Sequence, residues 1–320
     1  MHFTEDKECF VTLFDSKYLP MGMCLHQSLM EHAQPFHLWI VCMDDLAVTQ
    51  LRQLNLPHVT LLPLAEVETD VLLSVKPGRS RGEYCWTLTP FTPQFVFDRE
   101  PSATRVTYLD ADLFFFDRPA ILLDEFARSG KDVLITPHAY SPEYDQSDTS
   151  GIFCVQFMSF QRTEGGLAVM RWWQERCIEW CFARFEEGKF GDQKYLDDWP
   201  QRFPDQVHVL RQVEKTWAPW NVKRFLAEDG AAKPVLYHFH SLKIQSPRKI
   251  HLYGGYRIGA GRWLYDRYLD AMIGVYGVLR QHQMPIPFIA PVAQRFQWLR
   301  NLKHWLLRTS TYHHMVDHHR

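Results

Sequence analysis

After a polar start, the chain runs into apolar residues at 10–14, closed by Asp15-Ser16-Lys17-Tyr18. A short apolar run bounded by a turn reads as a buried strand. Residues 21–31 follow with helical spacing, which puts Met21, Cys24, Leu25, Ser28 and Leu29 on one face. A second apolar strand is expected at 37–43, stopped by Asp44-Asp45, then a helix at 46–54 and a third strand at 59–64. Strand–helix–strand–helix–strand is the order of a doubly wound, Rossmann-like α/β fold, an open and mostly parallel sheet flanked by helices. Such sheets bind ligands at the carboxyl ends of their strands, where Asp15 and Tyr18 stand.

The pattern continues with a basic, glycine-containing stretch that carries Lys76, Arg79 and Arg81. Residues 86–98 read as helical despite Pro90 and Pro93, and Arg105–Leu109 reads as a strand that ends in Asp110-Ala111-Asp112. Strands are expected at 133–137 and 151–160. The clearest amphipathic helix spans 166–186, with Trp172, Trp173, Cys177, Trp180 and Cys181 as its buried stripe. Gly191-Asp192-Gln193-Lys194-Tyr195-Leu196 opens the next element, and a last strand is expected at 234–240.

Near residue 255 the composition shifts, dividing a catalytic domain at 1–255 from a helical C-terminal extension at 256–320. The extension contains a helix at 263–280, a proline-broken patch at 284–291 and a tail at 293–308. In the tail Phe296, Leu299, Leu302 and Leu306 share a face, beside Arg295, Arg300, Lys303, Arg308, Trp298 and Trp305. Such a helix suits either peripheral contact with a membrane interface or docking on the catalytic domain or a partner. His313, His314, His318 and His319 read as a disordered tail.

Composition narrows the class. The 320 residues are 46% hydrophobic and 22% charged, with a formal net charge of −2. That is an ordinary globular balance and gives no reason to expect nucleic-acid binding. Aromatics reach 14%, including 11 Trp, which favours a site that stacks planar or sugar-like ligands. The seven cysteines are scattered, and only Cys177 and Cys181 are close, so reduced thiols in a cytosolic protein are expected. The polar start offers no signal peptide, and no apolar run is long enough to span a bilayer.

The chemistry concentrates at Asp110 and Asp112. Two carboxylates bracketed by apolar residues stand where a strand leaves the core, and strand alternation turns both the same way. A divalent cation, Mn²⁺ or Mg²⁺, fits between such a pair and a diphosphate. Tyr18 offers a face for a base, and Asp15 can accept hydrogen bonds from it. Arg79, Arg81 and Lys243 can offset phosphate charge. His238 or His240, at the end of the late strand, can add an imidazole ligand. Together these residues describe a nucleotide-diphosphate site.

The opening strand with its Asp15-x-x-Tyr18 turn, the Cys85–Thr89 segment, Asp110-Ala111-Asp112 and His238-Phe239 resemble glycogenin and related family 8 glycosyltransferases of GT-A fold. The Trp-rich segment 151–198, with its Asp192-Gln193 pair, is most similar to bacterial transferases encoded with surface-polysaccharide genes. The resemblance covers residues 8–245. It implies metal ligation by Asp110, Asp112 and His238. It implies nucleotide-sugar contacts from Thr12, Phe14, Asp15, Tyr18, Arg81, Asp110, Ala111 and Lys243, and a catalytic set of Asp192, Gln193 and Arg81. The implied activity is sugar transfer, with retention of configuration, from a nucleotide-diphosphate donor such as a UDP-sugar to a glycan or glycolipid. The glycine that follows His-Phe in glycogenin is replaced by His240-Ser241. Two rivals share these residues. One is an aspartate-nucleophile phosphatase, which places its D-x-D on the first strand. The other is a sugar-nucleotide-binding scaffold on the same fold.

Overall fold

The structure, a computed structural model, describes residues 7–229, 231–289 and 311–315. The expected alternation opens it: β1 (Glu8–Phe14), α1 (Leu19–His32), β2 (Phe36–Cys42), α2 (Asp45–Leu54) and β3 (Val59–Pro63). Next come α3 (Asp70–Val75), α4 (Arg81–Leu88), α5 (Thr92–Arg99), β4 (Arg105–Leu109), β5 (Leu113–Phe115), α6 (Ala120–Ser129) and β6 (Val133–Pro137). They are followed by α7 (Ser147–Ser150), β7 (Phe153–Gln161), α8 (Glu164–Glu179), α9 (Trp199–Arg202), β8 (Val207–Val209), β9 (Thr216–Trp217) and α10 (Val222–Glu228). The described chain ends with β10 (Leu236–His238), β11 (Lys243–Ser246), β12 (Lys249–His251), α11 (Arg262–Gln281) and β13 (Tyr312–His314).

Seven strands form the central sheet in the order β3-β2-β1-β4-β7-β6-β8. All neighbours are parallel except β7, which runs antiparallel to both β4 and β6. From β1 the chain steps outward to β2 and β3, then returns to place β4 on the other side of β1. The topological switch point, where an open sheet leaves a crevice, therefore lies between β1 and β4. Their ladder also stops at Val11↔Tyr108, so the two strands part just before their carboxyl ends.

Side-chain alternation splits β1 between two cores. Phe10 and Phe14 pack with α1, α11 and the small sheet, whereas Val11 and Leu13 pack towards α5 and α8. The small sheet has the order β5-β10-β9. Helix α11 lies in the first core, where Tyr268 stacks on Phe239 with centroids 3.8 Å apart. All seven cysteines are free thiols, and six of them are buried.

Several expectations change. Helix 86–98 is two helices joined by a 3-10 turn at Thr89–Phe91, where Pro90 interrupts the hydrogen-bond ladder. Helix α8 ends at Glu179, short of the expected 186, because Trp180 leaves it in an extended conformation. The strand at 234–240 shrinks to Leu236–His238 and is followed by a third sheet, β11-β12-β13. His313 and His314, expected in a disordered tail, pair with Ile250 and Lys249 in that sheet. The amphipathic segment 293–308 and His318 and His319 lie outside the described residues. Among the described residues no helix is long and apolar enough to cross a membrane.

Candidate active site

Asp110 and Asp112 do not lie on a strand, as alternation suggested. They occupy the tight turn between β4 and β5, with Ala111 between them. The turn is pinned at both ends: Asp110 N donates to Gln156 O at 3.0 Å, and Leu113 N donates to Asp110 O at 3.2 Å. Strand β10 then pairs antiparallel with β5, setting His238 opposite Leu113. Phe239 N donates to Asp112 O at 2.9 Å, extending the pairing past the strand end. The register therefore delivers the imidazole to the carboxylates. His238 Nε2 lies 3.1 Å from Asp112 Oδ1 and 3.7 Å from Asp110 Oδ2. Tyr108 OH donates to Asp110 Oδ1 at 2.8 Å and orients it.

Of the two histidines, His238 is the one whose ring nitrogen closes on both carboxylates. The chain turns at His240 and Ser241, and Ser241 adopts φ 67°. That turn sets the His240 ring edge-on to Trp220 at 5.4 Å and to His238 at 5.7 Å. One ligand atom from each of Asp110, Asp112 and His238 lies within 4.8 Å of the others. Ser241 takes the left-handed conformation that a glycine adopts most easily, at the place where glycogenin-like chains have one.

The electrostatics fit a cation. Burial disfavours the His238 imidazolium, but Asp112, through its charge and hydrogen bond, raises the His238 pKa well above its ordinary value. Burial would raise Asp112, yet His238 holds it below the ordinary carboxylate range. Asp110 is raised, chiefly by burial. The three groups thus already gather one positive charge, the proton on His238. Two carboxylate oxygens and one nitrogen are also donors that Mn²⁺ or Mg²⁺ accepts in that proton's place.

Beside the turn, at the end of β1, Asp15 caps the 3-10 turn Ser16–Tyr18 by accepting from Lys17 N at 2.9 Å and Tyr18 N at 3.3 Å. Arg81, at the start of α4, places Nε 2.7 Å from Asp15 Oδ2 and Nη2 2.5 Å from Asp44 Oδ2. Asp44 also accepts from the Ser16 hydroxyl at 2.9 Å. Asp44, recognised in the sequence only as the stop of a strand, thus joins Asp15 in holding Arg81 at the end of β1. Tyr18 is 38% exposed and lines a small cleft with Lys17, Met21, Lys243 and Ile289. Burial, and next the charge of Asp112, push its phenol up to about 12.

Not every expected contact reaches this cleft with its side chain. Thr12 and Phe14 are buried within β1, and Phe14 fills the space over Gly22, so what they can offer a donor is backbone. Ala111 is likewise buried. Arg79 is committed elsewhere: Nη2 donates to Cys177 O and Ile178 O at the end of α8, and its guanidinium lies over Phe182. It is therefore removed from the set that can meet phosphate.

Asp192 is 5% exposed. Gly191, before it, adopts φ 53° and passes so near Trp86 that a Cβ would meet the indole at 3.2 Å. Trp173 Nε1 donates to Asp192 O at 2.8 Å. Burial first, and then the charge of Asp110, push the Asp192 carboxyl up to about 8. Gln193 does not point freely into the site, since its amide nitrogen donates to Ser150 O at 2.7 Å.

No family model matches the chain. It is 30% identical over 259 residues to YfnD of Bacillus subtilis (strain 168), covering 78% of this chain and 82% of that protein. To YfnF of the same organism it is 32% identical over 259 residues, covering 75% and 84%. Among solved structures it is similar to apo GlyE, a glycosyltransferase of Streptococcus pneumoniae TIGR4, with a TM-score of 0.53, 15% identity, and 88% of this chain and 66% of that one covered. The galactosyltransferase LgtC, solved with donor and acceptor sugar analogues, gives a TM-score of 0.52 at 12% identity, covering 82% and 94%. Mouse xyloside xylosyltransferase 1 gives 0.50 at 14% identity, covering 73% and 98%. The GT-A fold expected from the sequence is thus the fold observed.

Proposed function

We propose a function from one premise: the chain belongs to the same family as YfnD and YfnF, and its fold is that of the GT-A glycosyltransferases. On this reading it is a glycosyltransferase that moves a sugar from a nucleotide-diphosphate donor, a UDP-sugar, to a glycan or glycolipid in surface-polysaccharide synthesis, with retention of configuration. The observation that carries it is the convergence of Asp110, Asp112 and His238 at the sheet's switch point, beside the crevice of Tyr18 and Arg81.

Asp110, Asp112 and His238 hold Mn²⁺ or Mg²⁺ in this reading. When bound, the ion supplies positive charge against the developing negative charge of the leaving diphosphate. Tyr18 stacks the base, and the backbone of Thr12, Phe14 and Ala111 flanks the nucleoside. Arg81 exchanges one of its carboxylate partners for phosphate oxygens, and Lys243 adds charge from the far wall of the cleft. Asp192 and the carbonyl of Gln193 orient the sugar from a site that excludes water. The sugar C1–O bond breaks with its electron pair passing to the diphosphate. C1 bonds to an acceptor hydroxyl oxygen, and the hydroxyl proton ends on the released diphosphate.

A screen of UDP-, GDP- and CMP-sugars, with Mn²⁺ or with a chelator, tests the reading. Donor hydrolysis or transfer should require metal and should vanish in Asp110→Asn and Asp112→Asn. Turnover that survives both substitutions, or burst release of phosphate from a simple phosphoester, would sink it. Nucleotide-sugar binding with no turnover, hydrolysis included, would mark a scaffold instead.

A further inference from the structure

The aromatic excess is not spent only in the two cores. A third cluster, Cys154, Ala218 and Trp220 with Tyr140, Tyr144 and Tyr256, stands at the β6–β7 side of the metal turn. Its rings form a continuous chain that starts on a metal-ligand candidate. His238 meets Trp220 edge-on at 5.4 Å, Trp220 meets His240 at 5.4 Å, and His240 meets Tyr256 at 6.1 Å. Tyr256 then meets Tyr144 at 5.0 Å. Tyr140, Tyr144 and Tyr256 are half-buried and His240 is exposed, so the chain runs from the triad to solvent.

The wall is held rigidly. Trp220 Nε1 and Asn221 Nδ2 both donate to His138 O at 2.9 Å, and His138 stacks on Tyr140 at 4.6 Å. Ala139, between those rings, adopts φ 49°, a left-handed conformation uncommon outside glycine. Such outliers persist where the surroundings over-determine them, often at binding sites. Beneath the rings, Ser141 Oγ is buried without a hydrogen-bond partner among the described residues. Buried polar atoms left unpaired call for an explanation, and a ligand hydroxyl is one.

From this we infer that the cluster is a sugar-binding subsite for the acceptor, with half-buried Tyr144 and Tyr256 and exposed His240 as its solvent-facing wall. The inference rests on the transferase reading for its role but not for its chemistry. Along the sheet edge, the crevice of β1, the turn after β4 and the rings after β6 follow in that order. The acceptor ring therefore lies across the triad from the nucleotide, where its hydroxyl faces the donor carbon. A pyranose presents an apolar C–H face that stacks on aromatic rings and an equatorial rim of hydroxyls that needs hydrogen-bonding groups.

Saturation-transfer NMR on the full chain, with methyl and octyl glycosides of glucose, galactose and N-acetylglucosamine, tests the subsite directly. Ring protons of at least one glycoside should be saturated by the wild-type protein. Tyr256→Leu should weaken that binding about tenfold, the size of one lost ring contact, while Tyr256→Phe keeps it. Should Tyr256→Leu fail to fold, His240→Ala, at an exposed position, carries the same expectation. Absence of any ring saturation, unchanged affinity in the variants, or saturation confined to the octyl chain overturns the subsite. Glycoside binding at these residues in a protein that binds no nucleotide sugar would leave the subsite standing and remove the transferase reading instead.

Discussion

A single carboxyl, that of Asp192, sets a pH dependence that the fold can be asked to reveal. Its folded pKa is about 8, whereas an unfolded aspartate titrates near ~3.9. Between these values the folded chain holds a proton that the unfolded chain has released, so stability falls as pH rises through that window. The contribution is fully present below about pH 4 and is lost by about pH 8. Asp192→Asn removes the titration while preserving shape. In chelator, the urea midpoints of wild type and Asp192→Asn should therefore diverge as pH rises from 5 to 8.5, the variant becoming relatively more stable. Parallel curves would show that Asp192 is ionised in the fold. The Asp-Gln pair drew attention to this residue in the sequence, but its burial and protonation were not readable there. The protonation depends on burial beside Trp173 and then on the charge of Asp110, which lie on different elements.

At the scale of elements, two arginines two positions apart have different partners, and the proposed function gives one to the fold and the other to the site. The carbonyls at the end of α8 need partners that the helix cannot supply, and Arg79 supplies them to Cys177 and Ile178. Arg79→Met should cost about 1.5–3 kcal/mol, read as a lower urea midpoint, and leave metal affinity unchanged. Arg81, half-exposed between Asp15 and Asp44, should behave oppositely. Arg81→Met should change stability by less than about 1 kcal/mol and depress donor turnover. Equal effects from the two changes would refute the division. Spacing alone could not separate Arg79 from Arg81, because which one turns inward depends on where α8 ends. The alternating strands and helices up to β3 were legible because each is a local pattern. The strand Arg105–Leu109 was legible with its observed bounds, but β5 was not, because the apolar run through Phe116 conceals the switch from β4 through the Asp110–Asp112 turn to β5. The small sheets were hidden for a related reason: β11, β12 and β13 are three or four residues long and find their partners across the chain.

The whole molecule couples its C-terminal helix to the Asp110–Asp112 turn. Helix α11 packs against α1 and the small sheet, and Tyr268 both stacks on Phe239 at 3.8 Å and meets Phe114 edge-on at 5.6 Å. Phe239 is the neighbour of His238, and Phe114 lies two residues after Asp112. One aromatic side chain of α11 therefore braces both strands that bring the triad together. Tyr265 adds a second brace, accepting a hydrogen bond from Tyr237 OH at 3.3 Å. Tyr268→Ala leaves a cavity in this core and should cost about 3–5 kcal/mol. Because β5 and β10 lose a common support, Mn²⁺ affinity measured by calorimetry should fall as well, which cavity formation at a distant site would not cause. Tyr268→Phe keeps the stack and removes only a hydroxyl that faces the buried Cys24 thiol, so it should largely preserve both quantities. A chain ending at residue 255 lacks α11 altogether and should fail to give a cooperative unfolding transition. Independent folding of that fragment, with the metal affinity of the full chain, would make the helix an appendage. Its loss would instead make the helix part of the same folding unit, since the strands that bring Asp110, Asp112 and His238 together would then be seen to need it.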